Sequence, residues 1–135
     1  MILALRLLFA LVLASMLAVT SWASLRCPLF AVPGDVFTHP WFIATLFDAY
    51  WGFITFFVWV WFKQTSWLAR SAWGIAIMLL GNRAMSAYCL AELGRASRDE
   101  GLSGLLTARR DGPGTLGLIL AVIGFGVVGF AWFSR

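Results

Sequence analysis

Four mostly apolar runs, at about 2–23, 41–62, 67–93 and 115–133, alternate with three links rich in polar residues, proline and glycine. A helix needs about 20 such residues to cross a bilayer, so the alternation predicts four transmembrane helices. The first link, "SLRCPLFAVPGDVFTHP", contains Pro28, Pro33, Gly34 and Pro40. Proline fixes φ and removes a donor, so a coiled or re-entrant loop is expected there, with Pro40 opening the next helix. The second link, "KQTSWLAR", is short and makes its flanking helices antiparallel neighbours. The third, "GRASRDEGLSGLLTARRDGPG", is polar, and Leu102, Leu105 and Leu106 fall at helical spacing, as in a short interfacial helix. The expected fold is all-α: an integral membrane four-helix bundle forming a single domain over 1–135. The first run also has the look of a signal peptide, with Arg6 before the apolar stretch and "SWAS" at 21–24.

Composition strengthens the membrane reading. Hydrophobic residues make up 61% of the chain and charged residues 12%, with a mean hydropathy of +0.88. Soluble domains are about 45–50% apolar and about 25% charged, so lipid must cover much of this surface. Nine of the ten cations are arginine, gathered at run ends and in links, which suits headgroups and topology control rather than nucleic acid. Cys27, Cys89 and His39 form no clustered ligand set, so no metal site and no cofactor of the chain's own is expected. Bound lipid, or pigment carried by partner subunits, is the remaining cofactor expectation. Both thiols are expected to be unpaired.

Four spans put both termini on one side. That side then carries Arg6, Lys63, Arg70 and Arg135, and the other carries Arg26, Arg95, Arg98, Arg109 and Arg110. The secretory appearance of the first run favours termini inside, in a bacterial inner membrane.

Asp48 is the residue that an apolar span does not need. In the second run Trp41, Thr45, Asp48, Gly52, Thr55 and Trp59 recur at steps of four and three, on one helical face. Such small and polar faces normally meet other helices. Pairing the second and third runs about their short link sets Asp48 beside Arg83, Tyr50 opposite Asn82, and His39 beside Glu92 near the headgroups. The expected intramembrane polar cluster is therefore Asp48, Tyr50, Asn82, Arg83 and Tyr88. Its role is either fixing helix register or holding a ligand. Gly52 is expected to permit close approach. Ala10, Ala14 and Ala18 in the first run, and Gly117, Ala121 and Gly124 in the last, form further small-residue packing faces.

The pieces "ATLFDAYWGF", "VWVWFKQTSW" and "LGN" followed by "AYCLAEL", within residues 41–93, resemble a family of small membrane proteins of plants and bacteria that carries a domain of unknown function. The resemblance implies a multi-helix membrane fold and no assigned activity. It also implies an apolar residue at the place of Arg83, which would leave Asn82 and Tyr88 as partners for Asp48. No catalytic constellation stands out, so whether the chain is an enzyme is left open. The expected function is a structural or accessory subunit of a larger membrane complex, with membrane lipids and other membrane protein subunits as partners. The alternative is a small membrane enzyme or carrier for an isoprenoid-like ligand, using the polar residues around Asp48.

Overall fold

The structure is a computed structural model, and it describes residues 1–28, 31–95, 102–109 and 114–133. Every regular element among them is a helix: α1 (Ile2–Arg26), α2 (Gly34–Thr38), α3 (Pro40–Lys63), α4 (Trp67–Leu80), α5 (Asn82–Arg95), α6 (Leu102–Thr107) and α7 (Gly114–Phe133). Three of these, α1, α3 and α7, are long and apolar enough to cross a membrane.

The stretch expected to form one continuous helix over 67–93 is two helices of 14 residues each. They part at Gly81, where φ is +55° and ψ is −130°. Only glycine enters such a conformation without a steric cost. The chain then folds back on itself. Fifteen residues of straight helix would separate Trp73 from Tyr88 by about 22 Å, yet their ring centroids are 4.9 Å apart. Each arm of the resulting hairpin is about 21 Å long, short of the roughly 30 Å hydrocarbon core. Gly81 serves packing as well as turning. A Cβ there would meet Phe53 Cζ at 2.6 Å.

The hairpin organises the other helices. Along α3, Phe57 lies on Gly74 and Phe53 on Gly81, so α3 runs antiparallel to α4. Helix α7 runs parallel to α4, with Gly114 on Ala69, Gly117 on Trp73 and Gly124 on Leu79 and Leu80. Gly117, Ala121 and Gly124 are the buried residues of α7. Helix α1 runs antiparallel to α5. Arg6 Nη2 donates to the Leu93 carbonyl at 2.6 Å, and Arg83 reaches Thr20 Oγ1 at 3.5 Å. The core consists of Val60, Trp73, Ala76, Ile77, Leu80, Ala84, Tyr88 and Ala121.

These contacts define two ends of the molecule. The open end of the hairpin, the start of α1, the end of α3, α6 and the start of α7 share one, here the near end. The end of α1, α2, the start of α3 and the end of α7 share the other, the far end. The chain therefore begins at the near end and finishes α7 at the far end, whereas four full spans would have put the termini together. The cause is the turn at Gly81, which returns the third stretch to the end from which it came.

Two packing expectations change with this topology. The half-buried face of α1 is Leu5, Phe9, Val12, Met16 and Thr20, while Ala10, Ala14 and Ala18 are exposed. Gly52 is exposed, and nothing lies within 4 Å of where its Cβ would be. The face of α3 that meets the hairpin is aromatic: Phe53, Phe56 and Phe57, then Val60.

Gly81→Ala should weaken the fold by about 1–3 kcal/mol from the backbone alone, with displacement of the Phe53 ring adding to it. Thermal unfolding in detergent, followed by circular dichroism, should show a lowered midpoint. An unchanged midpoint would mean that the turn does not need glycine.

Candidate functional site

The charged centre of the molecule forms where α3 ends inside the mouth of the hairpin. Helix α3 stops at Lys63 because Gln64 takes an extended conformation, and Ser66 is extended again before α4 begins. This tight link drives two polar side chains inward. Lys63 Nζ lies 2.6 Å from Glu92 Oε2, with side chains only 4% and 2% exposed. It is the ion pair among the described residues. Two charges out of water need each other, since leaving either alone is strongly unfavourable. The ammonium also sits 5.2 Å from the centroid of Trp59, where the ring face adds attraction. Glu92 Oε1 is buried without a hydrogen-bond partner.

Beside the pair, Gln64 Nε2 donates to the Tyr88 hydroxyl at 3.0 Å. Tyr88 is fully buried and boxed edge-on by Phe56, Trp59 and Trp73, with centroids at 6.0, 5.6 and 4.9 Å. Arg70 Nε donates to the Gln64 carbonyl at 2.9 Å, closing the link from the α4 side. Helix α6 closes it from outside. The Leu106 carbonyl accepts from Trp59 Nε1 at 3.1 Å, and Arg109 Nε donates to the Phe62 carbonyl at 3.0 Å. Ser86 and Cys89 are buried on the same helix as Tyr88. Trp73 Nε1 is buried without a hydrogen-bond partner, against Gly117. The arrangement holds α3, α4 and α5 together at one end and keeps its polar groups away from solvent.

The residues expected to form an intramembrane cluster fall in different places. Asp48 is exposed, and no hydrogen bond or ion pair joins it to Arg83. Arg83 donates instead to its own helix turn at the Leu80 carbonyl, 3.3 Å, and toward Thr20. Tyr50 is 46% exposed and lies on the other side of α3, because residues two apart on a helix point about 200° apart. It borders a shallow apolar recess with Leu46, Phe47, Trp51 and Ile54. Asn82 is exposed at the hairpin apex. Only Tyr88 enters a buried polar network. The partner of Glu92 is Lys63 rather than His39, which is exposed and caps the start of α3 at the far end. The fold-back explains both shifts. The register drawn for a continuous helix carries Arg83 and Glu92 onward along α3, but the turn at Gly81 brings α5 back toward Lys63.

Cys27 and Cys89 are free, the first exposed and the second buried. They sit on opposite sides of the fold, Cys27 after the far end of α1 and Cys89 in the near half of α5. Among the described residues no group of three His, Cys, Asp or Glu side chains could hold a metal ion.

Sequence reasoning missed Lys63 and Gln64, which read as an ordinary end of a span. A signal was present. Residues 82–95 include Asn82, Arg83, Ser86, Glu92 and Arg95, too polar for a lipid-facing span, and a glycine stands directly before them.

Breaking the pair with Lys63→Ala or Glu92→Ala should destabilise by about 3–5 kcal/mol, since each leaves a buried charge alone. Lys63→Met combined with Glu92→Leu should recover most of that loss. Unfolding in detergent measures both, and a loss in the double variant equal to the sum of the two single losses would show that the charges are not coupled.

No match was found among curated proteins or solved structures. A family model does match, over residues 1–110 of the 135, covering every helix from α1 through α6. The chain belongs to the DUF1475 family, proteins of unknown function.

Proposed function

We propose that the chain is an integral membrane protein with three spanning helices and one hairpin that enters and leaves from the same side. In this reading it serves as a structural or accessory subunit of a larger membrane assembly. The spanning part rests on the length and apolarity of α1, α3 and α7 and on the 14-residue arms of the hairpin. It replaces a four-span bundle.

Charge supports an orientation. The near end carries Arg6, Lys63, Arg70, Arg95 and Arg109, the far end carries Arg26, and Arg83 sits at the hairpin apex against Thr20; Arg98, Arg110 and Arg135 lie outside the described residues. Cytoplasmic loops concentrate Lys and Arg, so the near end is cytoplasmic, the chain starts inside, and α7 finishes outside.

The single observation carrying the subunit reading is Asp48. It lies eight residues into α3, about 12 Å from the far end, exposed on a helix otherwise suited to lipid. A lone carboxylate in a span costs at least about 2.5–3.5 kcal/mol. Thr45, Gly52 and Thr55 extend the same face. Both threonine hydroxyls are occupied by the carbonyls of Trp41 and Trp51, at 2.8 Å each, which leaves Asp48 as the group in need of a donor. A transmembrane helix of another subunit, bearing a donor or cation at that depth, satisfies it. The close approach it needs is provided by Gly52.

Purification in mild detergent should yield a stoichiometric complex with at least one other membrane protein, and Asp48→Leu should dissociate it while the chain itself still folds. A wild-type chain that purifies alone as a monomer would overturn the reading. Accessibility labelling of cysteines placed before Leu3 and at Phe133, in a background lacking Cys27 and Cys89, should report opposite sides of the membrane. Same-side labelling would refute the three-span topology.

A further inference from the structure

A groove of about 560 Å³ opens on the outer side of the molecule between α3, α4 and α7. Its walls are Phe57 on α3, Ile75 and Met78 on α4 and Phe125 on α7, and Gly74 forms its floor. Because Gly74 has no side chain, the Phe57 ring lies directly against α4 and closes one side of the groove. A Cβ there would meet Phe57 Cζ at 2.8 Å. One polar side chain enters the groove, Ser71, at the near end. From Ser71 to Met78 the groove follows about 10 Å of helix, from the interface level toward mid-bilayer.

The aromatic wall does not stop at Phe57. Trp61 follows it one turn nearer the interface, with centroids 5.8 Å apart, and Trp67 stands against Trp61 at 5.0 Å. Arg70, the neighbour of Ser71, lies with its guanidinium carbon 4.9 Å from the Trp61 centroid and 5.6 Å from that of Trp67. Its Nε is engaged by the Gln64 carbonyl at 2.9 Å. No carboxylate among the described residues pairs with it, and its Nη groups have no hydrogen-bond acceptor there. So a half-buried cation, held rigidly by two indoles and a carbonyl, stands at the interfacial mouth of an apolar slot.

We infer that this slot is a binding site for one anionic phospholipid, with its phosphate at Arg70 and Ser71 and an acyl chain along Gly74 to Phe125. The guanidinium matches phosphate geometry with paired donors. The guanidinium charge, which no carboxylate among the described residues pairs, selects an anionic headgroup over a zwitterionic one. The shape of the slot receives a chain lying along a helix, and its length of about 10 Å fits within the inner half of the hydrocarbon core. The site rests on the membrane reading above but is independent of any partner at Asp48.

The test is native mass spectrometry of the chain released from mild detergent, titrated with phosphatidylglycerol and phosphatidylcholine of matched chains. One phosphatidylglycerol per chain should be retained in preference to phosphatidylcholine. Arg70→Gln should weaken that retention about tenfold, the size of one charge-assisted hydrogen bond, and Arg70→Lys should recover part of it. Because Arg70 also braces the Gln64 carbonyl, Ser71→Trp is the second variant. It blocks the mouth from an exposed position, and should release the lipid with an unchanged circular dichroism spectrum. Equal retention of the two lipids, or undiminished binding in both Arg70→Gln and Ser71→Trp, would overturn the site. A protein that remains folded and soluble without detergent would instead refute the membrane reading itself.

Discussion

At Gly81 a single backbone angle decides the architecture. With φ at +55° the chain cannot continue as a helix, and Phe53 fills the space where a side chain would have stood. Helix α5 returns toward the end from which α4 came. The return places Tyr88 against Trp73, sets Glu92 beside Lys63, and lays α5 along α1 in the opposite sense. It also puts the start of α7 at the near end, so that α7 climbs beside α4 and exits at the far end. A continuous helix over the same residues would preserve none of these neighbours.

The near end is where polar and aromatic groups are spent on cohesion. Lys63, Gln64, Tyr88 and Glu92 are removed from solvent together, and three aromatic rings pack edge-on against the Tyr88 ring. Such a centre is not evidence of great stability, because desolvation offsets much of the attraction. It does make alternatives unfavourable, since any other docking of the α3–α4 link strands a charge. The far end follows the opposite economy. Before Phe53, α3 buries no residue, and α7 buries none after Gly124.

Much of this was readable in the sequence. The long apolar runs give α1, α3 and α7 close to their observed bounds, and Pro40 does open α3. The small residues of α7 mark the strip that lies on α4. The third run reads as one element, although its first half is apolar and its second half polar. Hydropathy averaged over a window hides such a division, while the glycine between the halves carries it. Once that turn was missed, the pairings of Asp48 with Arg83 and of His39 with Glu92 followed a register that does not exist. The grouping of Asp48 with Tyr50 failed for a simpler reason, helical geometry. Lys63 went unnoticed because a cation at the end of a span ordinarily reaches for headgroups, and nothing local reveals that an acid 29 positions later will meet it.

The seating of α7 on α4 has a consequence for how the protein is made. Helix α4 needs α7 to cover Ala69, Trp73 and Leu80, yet about 34 residues separate the end of α4 from the start of α7. While the ribosome is still producing that interval, the hairpin is too short to be passed through the membrane as a finished span and too apolar on its α4 face to rest in water. Until α7 arrives, those α4 residues lack the cover that Gly114, Gly117 and Gly124 bring. Helix α7 is therefore the latch of the fold, the last of the described helices to close over α4.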